Sequence, residues 1–194
     1  MASIDFYFDF GSPAAYLAWT QLDRIRAESG ASVVCKPMLL GGVFKATGNA
    51  TPVAIPAKGA WMLGDLARHA TRYGVPLRMP PGFPINTLHL MRGAAALEGD
   101  DRFDAYLEAV FGAMFGRGED MADVAIIGKA LADAGFDAAS IMAMTQDDAV
   151  KDRLKATTEE AVSRGVFGAP TFFVGDEMHF GQDRIDWVIA AARA

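Results

Sequence analysis

The sequence predicts an α/β fold in which a β-α-β start and a closing β-hairpin flank a long, wholly helical block. Three observations predict it. Ile4 to Phe10 alternates apolar and polar positions and then changes abruptly to helical spacing after Pro13. From Lys58 to about Arg164 only helical patterns occur. Near the end, Thr171-Phe172-Phe173-Val174 and Met178-His179-Phe180 are separated by a turn at Gly175-Asp176-Glu177.

The first strand puts Ile4, Phe6, Phe8 and Phe10 on one face and Asp5, Tyr7 and Asp9 on the other. Gly11-Ser12-Pro13 stops it, with Ser12 placed as N-cap and Pro13 as first helical residue. Tyr16, Leu17, Trp19, Leu22, Ile25 and Ala27 then form the apolar set of one helix, which Gly30 ends. A second strand spans about Ser32 to Met38, and Leu39 to Pro56 reads as a loop punctuated by glycine and proline. Helices are predicted over 58-73, 86-98, 101-115, 122-134, 137-144 and 147-164. After the hairpin, Gly181-Gln182-Asp183 starts a last helix. This order is a thioredoxin-type topology split by a helical insertion. It divides the chain into a discontinuous thioredoxin-like domain, 1-57 with 147-194, and an inserted helical subdomain, 58-146.

Composition narrows the function classes. A net charge of -6 argues against nucleic acid or an anionic membrane as partner, because either selects a basic surface. The single cysteine, Cys35, cannot form an internal disulfide, and His69, His89 and His179 are too scattered to suggest a metal site. The segment Met1 to Phe10 has acidic residues and no basic start, unlike a signal peptide, and no apolar run reaches the roughly 20 residues of a membrane helix. A reducing, cytoplasmic setting is expected.

A strand that runs straight into a helix gathers free N–H groups and the positive end of the helix dipole at one point, which favours anions, thiolates included. A disulfide oxidoreductase would carry Cys-x-x-Cys here, whereas this chain has Ser12-Pro13-Ala14-Ala15 and no sulfur. Redox cycling through the turn is therefore excluded. Taken alone, Ser-Pro before an apolar helix reads first as a plain cap followed by an N1 proline.

The stretches 8-16 (Phe-Asp-Phe-Gly-Ser-Pro-Ala-Ala-Tyr), 165-172 (Gly-Val-Phe-Gly-Ala-Pro-Thr-Phe) and 180-184 (Phe-Gly-Gln-Asp-Arg) together change that balance. With them, the chain resembles the glutathione-dependent 2-hydroxychromene-2-carboxylate isomerases, relatives of the kappa-class glutathione transferases in the DsbA-like thioredoxin superfamily. Gly48-Asn49, Pro56-Ala57-Lys58, Asp65-Leu66, Tyr73 to Pro76 and Phe83 to Leu88 agree with the resemblance. One departure is Asn49-Ala50-Thr51-Pro52, where many relatives carry Asn-Lys-Pro-Pro.

The resemblance implies a role for each site residue. Ser12 would hydrogen-bond the sulfur of bound glutathione and activate it without becoming a covalent nucleophile. Pro170 would be cis, with the Ala169 backbone pairing the cysteinyl part of the tripeptide. Gln182 and Asp183 would hold the γ-glutamyl end, beside an ordinary capping role. Asn49 and Lys58 are candidates for the glycyl carboxylate. An aromatic second substrate would meet Phe44, Trp61, Phe83, Asn86 and Phe167, although any one of these aromatics could equally be core and Asn86 a simple cap. Cys35 reads as a small buried hydrophobe.

The activity implied is reversible conversion of 2-hydroxychromene-2-carboxylate to trans-o-hydroxybenzylidenepyruvate in breakdown of naphthalene-type aromatics, by a homodimer that needs glutathione and no metal. A kappa-like transferase or peroxidase is the nearest alternative. A non-catalytic module that binds thiols or peptides is the other, since fold does not fix function.

Overall fold

The sheet is four-stranded in the order β2-β1-β3-β4, built from β1 (Ser3–Phe8), β2 (Ser32–Pro37), β3 (Thr171–Val174) and β4 (Glu177–Phe180). A computed structural model describes residues 2–193. β1 runs parallel to β2, with Phe6 opposite Cys35, and antiparallel to β3, with Phe6 opposite Phe172; β3 and β4 form the expected hairpin. The alternation along β1 sorts its side chains between two cores. Ile4, Phe6 and Phe8 enter the large one, where Phe6 stacks on Phe172 at 4.9 Å between ring centroids. Tyr7 enters a smaller one with Met38, Val43 and Phe173.

β1 stops at Phe8, two residues short of the predicted end. Asp9 ends it: its carbonyl accepts from Ser12 N–H at 3.0 Å and its Oδ1 from Gly11 N–H at 2.8 Å, closing a turn. The single helix predicted over 13-30 is two, α1 (Pro13–Trp19) and α2 (Leu22–Ser29). Between them Gln21 N–H donates to the Ala18 carbonyl and the Thr20 hydroxyl donates to the Leu17 carbonyl, so the ladder is interrupted. Gly30 ends α2 with φ 71°, the left-handed conformation that glycine supplies without strain.

The predicted loop 39-56 instead contains α3 (Leu40–Thr47) and a 3₁₀ turn at Pro52–Ala54. Gly41-Gly42 disfavours a helix in isolation. Tertiary contacts override that: Leu39 N–H donates to Thr158 Oγ1, Leu40 N–H to Asp9 Oδ2, and at Gly42 an added Cβ would lie 3.1 Å from the Thr158 methyl. The glycine lets α3 lie close against the helix that carries Thr158.

Helices α4 (Pro56–Tyr73), α5 (Leu88–Leu97), α6 (Phe103–Phe111), α7 (Val124–Asp133), α8 (Ala138–Met144) and α9 (Asp148–Ser163) follow the predicted order, with a π-helical stretch at Gly112–Arg117 after α6. The large core is continuous from β1 into α5 and α6; Phe10 packs edge-on against Phe111 at 4.7 Å. α10 (Ile185–Arg193) starts later than predicted, because Gln182–Arg184 forms a 3₁₀ turn first. Among the described residues no helix is long and apolar enough to cross a membrane.

Candidate active site

Ser12 is 5% exposed and has β-region backbone angles, φ -109° and ψ 110°, as an N-cap requires. Its Oγ accepts from Ala15 N–H at 3.1 Å and donates to the Ala169 carbonyl at 3.0 Å. The Ala169-Pro170 bond is cis. Phe83-Pro84 is also cis, a feature the sequence reading did not anticipate.

Around this pair opens a pocket of about 630 Å³, a size suited to small ligands. It brings together Ser12, Ala169, Pro170, Gln182 and Asp183 with Asn49 and Lys58, and the aromatics Phe44, Trp61, Phe83 and Phe167. Asn86 stands apart from this lining: it is exposed, and its Oδ1 accepts from Leu88 N–H at the entry to α5. The N-cap of α5 is Thr87, so Asn86 sits one residue before the cap and is neither the cap nor part of the pocket lining.

Each wall has a distinct origin. Asn49, just beyond α3, donates through Nδ2 to the Phe167 carbonyl at 2.8 Å and so ties the α3 wall to the segment before Pro170. Gln182 is buried, and its carbonyl accepts from the Tyr73 hydroxyl at 2.7 Å, fastening the start of the last helical segment to α4. Neither Gln182 nor Asp183 caps with its side chain; Asp183 pairs with Arg184 at 2.9 Å. Lys58 has no ion pair among the described residues, and the Ala169 N–H has no hydrogen-bond partner among them.

Three lining residues were not read as site residues from the sequence: Met62 and Asp65 on α4, and Phe180 on β4. For two of these a signal was available. Lys58, Trp61, Met62 and Asp65 recur at i, i+3, i+4 and i+7, one face of a helix. Phe180 is opposite Thr171 in the hairpin, and its ring packs on Phe167 at 4.6 Å.

Beneath the Ser12 turn lies a buried carboxylate that also went unread. Asp9 is 2% exposed, and its pKa is raised by burial against the opposing pull of hydrogen bonds from Gly11, Leu40 and Thr87. It makes no ion pair among the described residues; its partners are two backbone N–H groups and one hydroxyl.

Comparison with known proteins agrees with this architecture. The DSBA-like thioredoxin domain family matches residues 3–191. The 2-hydroxychromene-2-carboxylate isomerase of Sphingobium xenophagum is 32% identical, over 96% of this chain and 95% of its own. Human glutathione S-transferase kappa 1 is 28% identical, over 95% of this chain and 88% of its own. A solved structure of a 2-hydroxychromene-2-carboxylate isomerase superposes with TM-score 0.88 at 30% identity, covering 97% of this chain and 93% of that one. Relatives so named support an isomerase role. With a family match nearly end to end and a relative above 30% identity over almost the whole length, the chain belongs to the DsbA-like thioredoxin family and, within it, to the 2-hydroxychromene-2-carboxylate isomerases.

Proposed function

We propose that the chain is a glutathione-dependent isomerase that converts 2-hydroxychromene-2-carboxylate to trans-o-hydroxybenzylidenepyruvate. The observation that carries the reading is a hydroxyl, Ser12, facing the cis-peptide segment Ala169-Pro170 in one pocket, at a turn with no cysteine. The reaction needs a thiol, and the chain's single cysteine is buried elsewhere, on β2.

The residues present suit glutathione. The free Ala169 N–H is a donor for the peptide backbone of the cysteinyl residue. Lys58, without an ion pair among the described residues, and Asn49 both line the pocket and would meet the glycyl carboxylate. Gln182 and Asp183 line the same pocket for the γ-glutamyl end. When bound, glutathione would supply a thiolate that adds reversibly to the conjugated double bond of the ring-opened substrate, so that rotation can occur. Ser12 would hold the ionised form of that sulfur by hydrogen bonding and bring its pKa down from about 8.5 toward neutrality. Phe44, Trp61, Phe83 and Phe167 would enclose the aromatic ring and exclude water. The active form would be a homodimer in the cytoplasm.

Names among the relatives also favour a second reading, a kappa-like glutathione transferase, which would use the same thiolate for net conjugation. Glutathione titration beside two assays separates them: isomerase turnover that requires glutathione without consuming it supports the first, and consumption of a generic electrophile with no isomerisation supports the second. Ser12→Ala is expected to reduce turnover and shift its pH dependence upward; an unchanged rate and pH profile would remove Ser12 from the reaction.

A further inference from the structure

We infer that Ser12 is held in an off state by Ala169 and is released by the ligand's own backbone: its hydroxyl proton moves from the Ala169 carbonyl to the ligand's sulfur when an amide N–H of the ligand takes its place. This rests on the proposed glutathione reading and adds a condition to it. The direction of both bonds at Ser12 is set by chemistry. Ala15 N–H can only donate and the Ala169 carbonyl can only accept, so the hydroxyl oxygen receives at 3.1 Å and gives its single proton at 3.0 Å. That proton is committed, and a sulfur entering the pocket meets a hydroxyl with none to offer.

Rotation about the Cβ–Oγ bond frees the proton but leaves a part-buried carbonyl unpaired, which is costly unless something replaces the donor. Ala169 offers what an extended peptide requires for pairing: an N–H without a partner among the described residues and a carbonyl that a second donor can reach in the pocket. A cysteine whose nitrogen is acylated brings that N–H next to its own sulfur. The exchange is one donor for another at the carbonyl, one acceptor for another at the hydroxyl; no covalent bond changes at Ser12, and the thiol proton goes to solvent. The class of ligand activated is therefore thiols with a peptide-type N–H on the adjacent carbon. Small thiols without it can enter but are not ionised by Ser12.

The test compares glutathione with an isosteric analogue whose cysteinyl N–H is replaced by an ester oxygen. The bound-thiol pKa is read from ultraviolet thiolate absorbance against pH, and affinity from equilibrium titration. Glutathione is expected to show a lowering of about one unit or more from 8.5, and the analogue to bind about tenfold more weakly with little lowering. In Ser12→Ala the difference in thiol pKa between the two ligands is expected to vanish. Equal lowering for both ligands in the unmodified protein overturns the exchange while leaving the glutathione reading intact. Failure of the analogue to compete at roughly a thousandfold excess also overturns it, since one replaced hydrogen bond does not account for so large a loss. Absence of binding or of any lowering with glutathione itself overturns the reading and the exchange together.

Discussion

Thr87 donates its hydroxyl to Asp9 Oδ1 at 2.7 Å, joining the segment that enters α5 to the turn that carries Ser12. The same carboxylate takes Gly11 N–H at 2.8 Å and, through Oδ2, Leu40 N–H at 2.7 Å. Gly11 and Leu40 both line the pocket, so one buried side chain fixes two of its walls to α5.

Replacing Asp9 by Asn turns one acceptor oxygen into an NH₂ facing a donor, and a loss of about 1–3 kcal/mol is expected from one unsatisfied buried group. The loss should depend on pH with a definite sign. Burial raises the Asp9 pKa above its usual 3.8, so the folded state holds the proton more tightly than the unfolded chain. The stability this contributes is complete below 3.8 and is lost as pH rises through the folded-state value. Denaturant unfolding should therefore show the gap between the native protein and Asp9→Asn widest at the lowest pH and narrowing upward. A gap that widens over that range would count against a raised pKa at buried Asp9.

Asp9 also marks where legibility in the sequence ended. Period-2 and helical spacing identified all four strands and the helices from α4 to α9, because those patterns report directly which side faces the core. Gly41-Gly42 concealed α3, whose formation depends on Thr158 and Asp9, residues distant in sequence. Asp9 itself read as the polar position of an alternating strand, and nothing local distinguishes a solvated carboxylate from one that receives three hydrogen bonds. Ser12, Ala169 and Pro170 were legible through resemblance rather than spacing. The Ser12-to-Ala169 bond joins positions 157 residues apart and was visible only in the fold.

Cys35 is expected to be silent in every thiol measurement on the folded protein. It is 7% exposed on β2, and burial, with a smaller push from Asp104, raises its thiol to about 12. Disulfide reagents at neutral pH should label it only after unfolding. It follows that any thiolate absorbance titrating near neutrality in a glutathione complex belongs to the ligand. Rapid labelling of the native protein would contradict this assignment.

Gly93, within α5, is a packing requirement. An added Cβ would overlap Tyr106 Oη, which is fully buried and donates to the Leu90 carbonyl at 2.9 Å. Overpacking of this kind costs about 1–3 kcal/mol, and the helix preference of alanine returns up to about 1 kcal/mol of it. Gly93→Ala is expected to lower stability by a net ~1–2 kcal/mol. Combined with Tyr106→Phe, the loss should be smaller than the sum of the two single losses, because the nearest clashing atom is gone, while the ring Cζ, 2.6 Å from the added Cβ, keeps part of the clash. Strict additivity in denaturant unfolding would show that the helix relieves the clash by shifting.

Phe180 and Phe167 form a pair at the pocket, with centroids 4.6 Å apart and planes at 48°. They are 41% and 37% exposed, so their contact contributes little to the core and leaves ring surface for a ligand. Gly168 sets the position of the pair: an added Cβ there would meet Phe180 Cε2 at 2.8 Å and displace the ring. If the aromatic substrate packs on this pair, Phe180→Ala should raise its KM by roughly 2- to 12-fold, the value of one aromatic contact, and Gly168→Ala should reproduce part of that effect. Phe180→Ala touches neither the Ser12 hydroxyl nor its two partners, Ala15 N–H and the Ala169 carbonyl, so in that variant the pKa of a bound thiol is expected to stay where it is. Thermal stability of Phe180→Ala should change little, given the exposure of the ring. A shift in thiol pKa with unchanged KM would place the pair against the thiol ligand instead of the aromatic substrate.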